Sequence, residues 1–169
     1  MSLISFFKDA GQKLFGHKDA EAAAKQAQAA PDDAALQAAS AAANQSAAAA
    51  IMTYIGTQNL DTSALTVEFD GASGSVMVSG VVPDQETKEK ILLCCGNVTG
   101  VGQVNELITV DAPAEESRYH TVERGDTLSA IAKTYYGDAN KYPAIFEANK
   151  PMLSHPDKIY PGQMLRIPG

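Results

Sequence analysis

The stretch Tyr119–Pro168 constrains the fold most, because it alternates strand, helix, helix and strand without a gap. Tyr119-His-Thr-Val122 is short and β-prone, and Gly125-Asp126 ends it. Thr127 stands where its hydroxyl can accept from the free amides of a first helical turn. Leu128, Ile131, Ala132 and Tyr135 then fall at i, i+3, i+4 and i+7, one apolar helical face. Gly137 supplies the C-terminal stop. Tyr142, Ile145, Phe146 and Asn149 repeat the spacing, and Pro151 ends this second helix. Pro161-Gly162 makes a turn, proline fixing φ and glycine accepting φ > 0. Met164–Ile167 is the closing strand. In this order the end strands pair antiparallel and both helices lie on one face.

The 169 residues allow two small domains. A small domain buries proportionally less surface, so two that support each other are expected. The net charge is −7 and no basic run occurs. Nucleic acid and anionic membrane are therefore not expected partners. At the start, Met1–Phe15, no charge precedes the apolar residues and Lys8-Asp9 interrupt them. That is not the pattern of a secretory signal, and no stretch approaches a transmembrane length. A cytoplasmic protein is the reading. Cys94 and Cys95 are adjacent, a spacing that suits neither a bridge nor a metal, and they read as reduced, buried small hydrophobes.

The remaining chain divides by pattern. Residues 1–16 are expected to form an amphipathic helix or a pair of turns, with Leu3, Phe6, Phe7, Ala10 and Leu14 able to share a face and Gly11 weakening its middle. Residues 17–43 are alanine-rich and helix-prone; Pro31 breaks them and Asp32-Asp33 can start a new helix. With almost no large apolar residue, they are expected to be a solvated helical spacer. Residues 44–111 read as α-β-β-α-β: Ile51 and Ile55 on a helix, Leu65–Phe69 and Val76–Ser79 as a hairpin, a helix after Pro83-Asp84, then a strand over Val101–Val110. Residues 112–118 are a polar linker. The fold class is α+β, with two small domains.

Catalysis is not expected. His17, His120 and His155 sit in no triad or metal spacing, and nucleophile-elbow, phosphate-loop and zinc-helix motifs are absent. Calcium wants several carboxylates at short spacing, whereas Asp70-Gly-Ala-Ser-Gly74 supplies one. Potassium asks for something else, a ring of backbone carbonyls that replaces its water shell. Glycine-bearing turns can build one. Two places qualify: Gly96-Asn-Val-Thr-Gly-Val-Gly102, between a helix and a strand, and Phe7–Gln12 around Gly11. On the residues alone, the simpler reading of both is an ordinary connector.

Gly125-Asp-Thr-Leu128 and Ile159-Tyr-Pro-Gly-Gln-Met-Leu-Arg-Ile-Pro168 make Tyr119–Pro168 resemble a LysM domain. The resemblance implies a shallow groove for N-acetylglucosamine polymers at Gly125, Asp126, Thr127, Leu128, Ile159 and Tyr160. The same residues also serve the fold as turn, cap and core. Val78-Ser-Gly-Val-Val82 and Asn97-Val-Thr-Gly-Val-Gly-Gln-Val-Asn105 make residues 44–111 resemble a BON domain. Adding Phe6-Phe-Lys-Asp-Ala-Gly11, Lys88-Glu-Lys-Ile-Leu92 and Phe146-Glu-Ala-Asn-Lys-Pro-Met-Leu153, the chain resembles the family of bacterial cytoplasmic potassium-binding proteins. Against that family, residues 17–50 look like an insertion. The resemblance implies a monomeric sensor or buffer that binds K+ and changes shape. It implies as ligands the carbonyls of Phe7, Ala10, Gln12, Gly96, Val98 and Val101, with the LysM unit as a stabilising lid and peptidoglycan no partner. The competing reading is a module that attaches to peptidoglycan through its LysM unit.

Overall fold

The computed structural model describes residues 2–6, 10–14 and 16–169. Strand β2 (Leu65–Asp70) buries Leu65, Val67 and Phe69 and exposes the residues between them, so it has one dry and one wet face. It pairs antiparallel with β3 (Ser75–Asp84) across a tight hairpin. Strand β3 runs parallel to β4 (Gln103–Ala112), and a parallel pair needs a crossover. Helix α3 (Gln85–Gly96) provides it. The Asp84 carboxylate starts α3 by accepting from the Thr87 amide at 2.7 Å. On the dry face, Ile51 and Ile55 with Ile91, Leu92, Cys94 and Cys95 meet Val67, Phe69, Val76, Val78 and Val104. Both cysteines are free and buried.

At the N-terminus the described residues depart from the expected amphipathic helix. Residues Ser2–Ser5 form β1, antiparallel to β4, and the sheet order is β1-β4-β3-β2. Leu3 and Ser5 are exposed while Ile4 and Phe6 are half-buried against the core. That is a period of two, and the free edge of β4 selects it over the helical spacing. Gly11 at φ +113 is incompatible with a continuous helix.

The alanine-rich stretch is also not the solvated spacer expected. Helices α1 (His17–Ala29) and α2 (Ala34–Thr57) form a hairpin, with Asp33 capping α2. Helix α2 runs across the expected boundary at 43/44 without a break. Ala20, Ala24, Ala27, Ala47 and Ala48 are buried. Methyl side chains let helix backbones approach closely, so a segment poor in large apolar residues still packs.

The C-terminal domain follows the expected β-α-α-β order: β5 (Arg118–Thr121), α4 (Leu128–Tyr136), α5 (Tyr142–Ala148) and β6 (Met164–Ile167). Thr127 accepts from the Ala130 amide at 3.1 Å, and Gly137 ends α4 in the left-handed conformation. Strands β5 and β6 pair antiparallel over a core of Val122, Leu128, Ile131, Ile145, Leu153, Leu165 and Ile167. The two domains touch. Met152 packs on the first core, and α3 lies against β6 through Glu89–Arg166 and Asn97–Met164 contacts. Among the described residues no helix is long and apolar enough to cross a membrane.

Candidate cation site

The last turn of α3 carries no basic side chain, so the helix's own residues do not offset the negative end of its dipole. Its final residue, Gly96, opens the loop to β4. The N-terminal segment 10–14 lies along that loop. Gln12 and Val98 form an isolated parallel bridge: the Gln12 amide donates to the Asn97 carbonyl at 2.6 Å, and the Thr99 amide donates to the Gln12 carbonyl at 2.9 Å. The Thr99 hydroxyl donates to the Gly11 carbonyl at 3.0 Å. Beyond the loop, the Phe6 amide donates to the Gly102 carbonyl at 2.9 Å.

Two glycines make this approach possible. Gly100 holds φ +97, a region that side-chain-bearing residues avoid. A Cβ on Gly11 would overlap the Asn97 carbonyl. The Phe6 ring fills the space over Gly96, where a Cβ would collide with it.

Of the six predicted ligand positions, Gln12, Gly96, Val98 and Val101 meet at this junction, with Ala10 two residues from Gln12. Phe7 lies outside the described residues. The Val98 carbonyl accepts from the Val101 amide at 3.1 Å, as Gln12 does from Thr99. The carbonyls of Ala10, Gly96 and Val101 accept no hydrogen bond among the described residues. A carbonyl has two lone pairs, so all five retain one. The donor set is neutral oxygen. Among the described residues no group of three His, Cys, Asp or Glu side chains could hold a metal ion. Neutral carbonyls fit a weakly hydrated monovalent cation, whereas calcium draws on carboxylates.

Sequence reasoning passed over Asn97 and Thr99 as contacts in their own right. They are the polar side chains of a loop otherwise made of glycine and valine, and that contrast was the available signal. It also passed over an ionic cluster on α3. Glu89, 1% exposed, accepts from the Gln85 side-chain amide at 3.0 Å, the Ser117 amide at 2.8 Å and Arg166.

Residues 44–112 match the BON domain family model and residues 120–168 the LysM domain model. Over 172 residues, covering 99% of both chains, the sequence is 41% identical to the potassium binding protein Kbp of Escherichia coli. The chain belongs to the Kbp family. Shorter likenesses involve parts of other proteins. One is 54% identity over 50 residues with an uncharacterized protein of Deinococcus radiodurans, covering 30% of this chain and 19% of that one. Another is 27% over 121 residues with an endolysin of Bacillus phage B103, covering 72% of this chain and 43% of that one.

In this Kbp-family chain most glycan-groove positions also have work inside the LysM domain. Gly125 turns the chain at φ +94. Asp126 accepts from the Glu123 amide at 2.9 Å and lies 2.8 Å from His120 Nε2. Thr127 caps α4, and Leu128 is core. Ile159 packs on that core, and Tyr160 is half-buried near Tyr54 of α2. A cleft does open beside Thr127 and Leu128, but its far wall is His155, Pro156 and Asp157.

Proposed function

We propose that this chain is a cytoplasmic potassium-binding protein, a sensor or buffer that changes shape when it binds. It holds the ion in the backbone carbonyls of Ala10, Gln12, Gly96, Val98 and Val101, together with Phe7. The observation that supports this best is the Gln12–Val98 bridge, which draws two glycine-bearing turns together at the C-terminal end of α3. The likeness to a protein named for potassium binding supports the choice of ion.

The chemistry asked of the chain is exchange of ligands, not reaction. Carbonyl dipoles replace part of the hydration shell of a large cation. The loop supplies three of them and the N-terminal segment the others, so a bound ion ties the two together. The Asn97 side chain, bonded to β6, carries that closure to the LysM domain.

Thermal unfolding in potassium, sodium or calcium chloride at matched ionic strength tests the reading. A ligand specific to the folded form stabilises by RT ln(1 + [L]/Kd), about 2.7 kcal/mol at a hundredfold excess over Kd. Potassium is expected to raise the melting temperature well beyond sodium or calcium. Equal shifts would mean general screening and would sink the reading.

A further inference from the structure

Helix α1 touches several parts of the site at once. The His17 ring lies over Gly100: a Cβ there would stand 2.7 Å from His17 Cδ2. Nδ1 of the same ring is 3.0 Å from the Leu14 carbonyl oxygen. One side chain thus joins the end of segment 10–14 to the loop that this segment bridges.

One turn on, Ala20 is fully buried. Its carbonyl meets Gly71, at the tip of the β2–β3 hairpin, so closely that a Cβ on Gly71 would overlap it. The Gly71 amide in turn donates to the Asn44 side chain of α2 at 3.0 Å. Three residues further along the hairpin, the Gly74 carbonyl accepts from the Gly102 amide at 2.8 Å. Gly16 is seated on α2, where a Cβ would stand 3.2 Å from the Ala47 nitrogen. The first turns of α1 are therefore fastened to α2, to the hairpin tip and to the loop.

We propose that α1 is a strap that keeps segment 10–14 closed over the loop, with His17 as its positioning residue. This rests on the potassium reading of that loop. The apparent dissociation constant of a site is the intrinsic one divided by the fraction of molecules in the competent arrangement. A strap that keeps segment and loop together before the ion arrives holds that fraction high. Loosening it weakens binding while every ligand stays in place.

Potassium chloride is titrated calorimetrically into the full chain and into His17→Ala, His17→Phe and Ala20→Leu, with sodium chloride holding ionic strength constant. Amide exchange and melting temperature are recorded in sodium alone. His17→Ala and Ala20→Leu are expected to bind potassium about tenfold more weakly, as when the competent fraction falls to roughly a tenth. The Gln12 and Thr99 amides exchange faster in both variants; the melting temperature in sodium stays near that of the unsubstituted chain for His17→Ala, whereas Ala20→Leu, which overpacks a fully buried position, melts lower. His17→Phe keeps a ring on Gly100 and recovers most of the affinity. Variants that bind as tightly as the unsubstituted chain overturn the strap and leave the potassium reading standing. So does a His17→Ala protein that melts lower in sodium yet binds potassium undiminished. An unsubstituted chain that takes up no potassium overturns both.

Discussion

Asn97 and Met164 hold each other by two reciprocal hydrogen bonds. Asn97 Nδ2 donates to the Met164 carbonyl at 2.8 Å, and the Met164 amide donates to Asn97 Oδ1 at 2.9 Å. Asn149 does the same to Arg166, at 2.8 Å in both directions. Alternate residues of a strand point their backbone groups to the same side, and β6 has one partner strand, β5. The two asparagines therefore cover the free edge of β6, one from each domain. A sheet edge left unpaired at a buried position is costly.

Asn97→Ala strips this cover and leaves the Met164 amide and carbonyl without partners at a buried residue. The expected loss is ~1–3 kcal/mol, the usual cost of orphaned buried polar groups. Urea unfolding measures it. Asn97→Asp should fall between, because a carboxylate accepts from the Met164 amide but cannot donate to its carbonyl. An Asn97→Ala midpoint equal to that of the unsubstituted chain would show that the clamp adds nothing to docking.

The second clamp between the domains titrates. Burial alone pushes the Glu89 carboxyl up, but bonds from Arg166, the Ser117 amide and Gln85 to its charged form outweigh burial and hold it below the ordinary 4.5. A carboxyl with a lower pKa folded than unfolded adds stability above the unfolded value and loses it as pH falls through the folded one. Stability should therefore hold at neutral pH and decline once acid takes the solution below 4.5. Glu89→Gln should lower the neutral plateau by ~1–3 kcal/mol, because a neutral side chain no longer charge-pairs with Arg166. Arg166 then keeps Glu86 at 3.8 Å. The acid decline should become shallower, because one depressed carboxyl is gone. Urea midpoints across a pH series read both effects; an unchanged acid limb would remove Glu89 from the account.

The C-terminal domain was legible because its punctuation is local. Thr127 caps the helix that follows it and Gly137 stops it, within one element. The N-terminus was not, because Leu3, Phe6 and Leu14 fit a helical face as well as Ile4 and Phe6 fit a strand. The free edge of β4 decided between them, and that is a tertiary fact. Glu89 and Arg166 lie too far apart in sequence for any periodicity to pair them. The candidate site is harder still. Backbone carbonyls leave no side-chain pattern, so the glycines at 11 and 100 marked its turns, while its occupant came from resemblance.

The LysM groove gives a separate test. Asp126, Thr127, Leu128 and Ile159 are committed to turn, cap and core, and Tyr160 is half-buried. A sugar polymer would have to compete with these contacts. Little or no retention on purified peptidoglycan or chitin is expected at physiological salt. Retention of the full chain that N-acetylglucosamine oligomers release would favour the glycan-binding reading instead.

The nature of the ligands separates two classes of substitution. Gly100→Val puts a β-branched residue at φ +97 and drives its Cβ toward the His17 ring, 2.7 Å away. The loop must move, and the potassium-induced rise in melting temperature should vanish. The LysM domain has its own core and should stay folded, which its near-ultraviolet tyrosine signal reports. Deleting residues 1–15 removes Ala10, Gln12 and the bridge to Val98, and should abolish or strongly weaken the same rise. Asp70→Asn and Asp84→Asn should leave it nearly intact. Asp70 accepts from Ala72 and Ser73 in the hairpin turn, and Asp84 caps α3; neither is a proposed ligand. The comparison between the carboxylates and the deletion is decisive. If the Asp→Asn changes remove the response and the deletion spares it, the ion sits on carboxylates at or near the hairpin. The carbonyl assignment would then be wrong, because a cage of backbone carbonyls uses no carboxylate as a ligand.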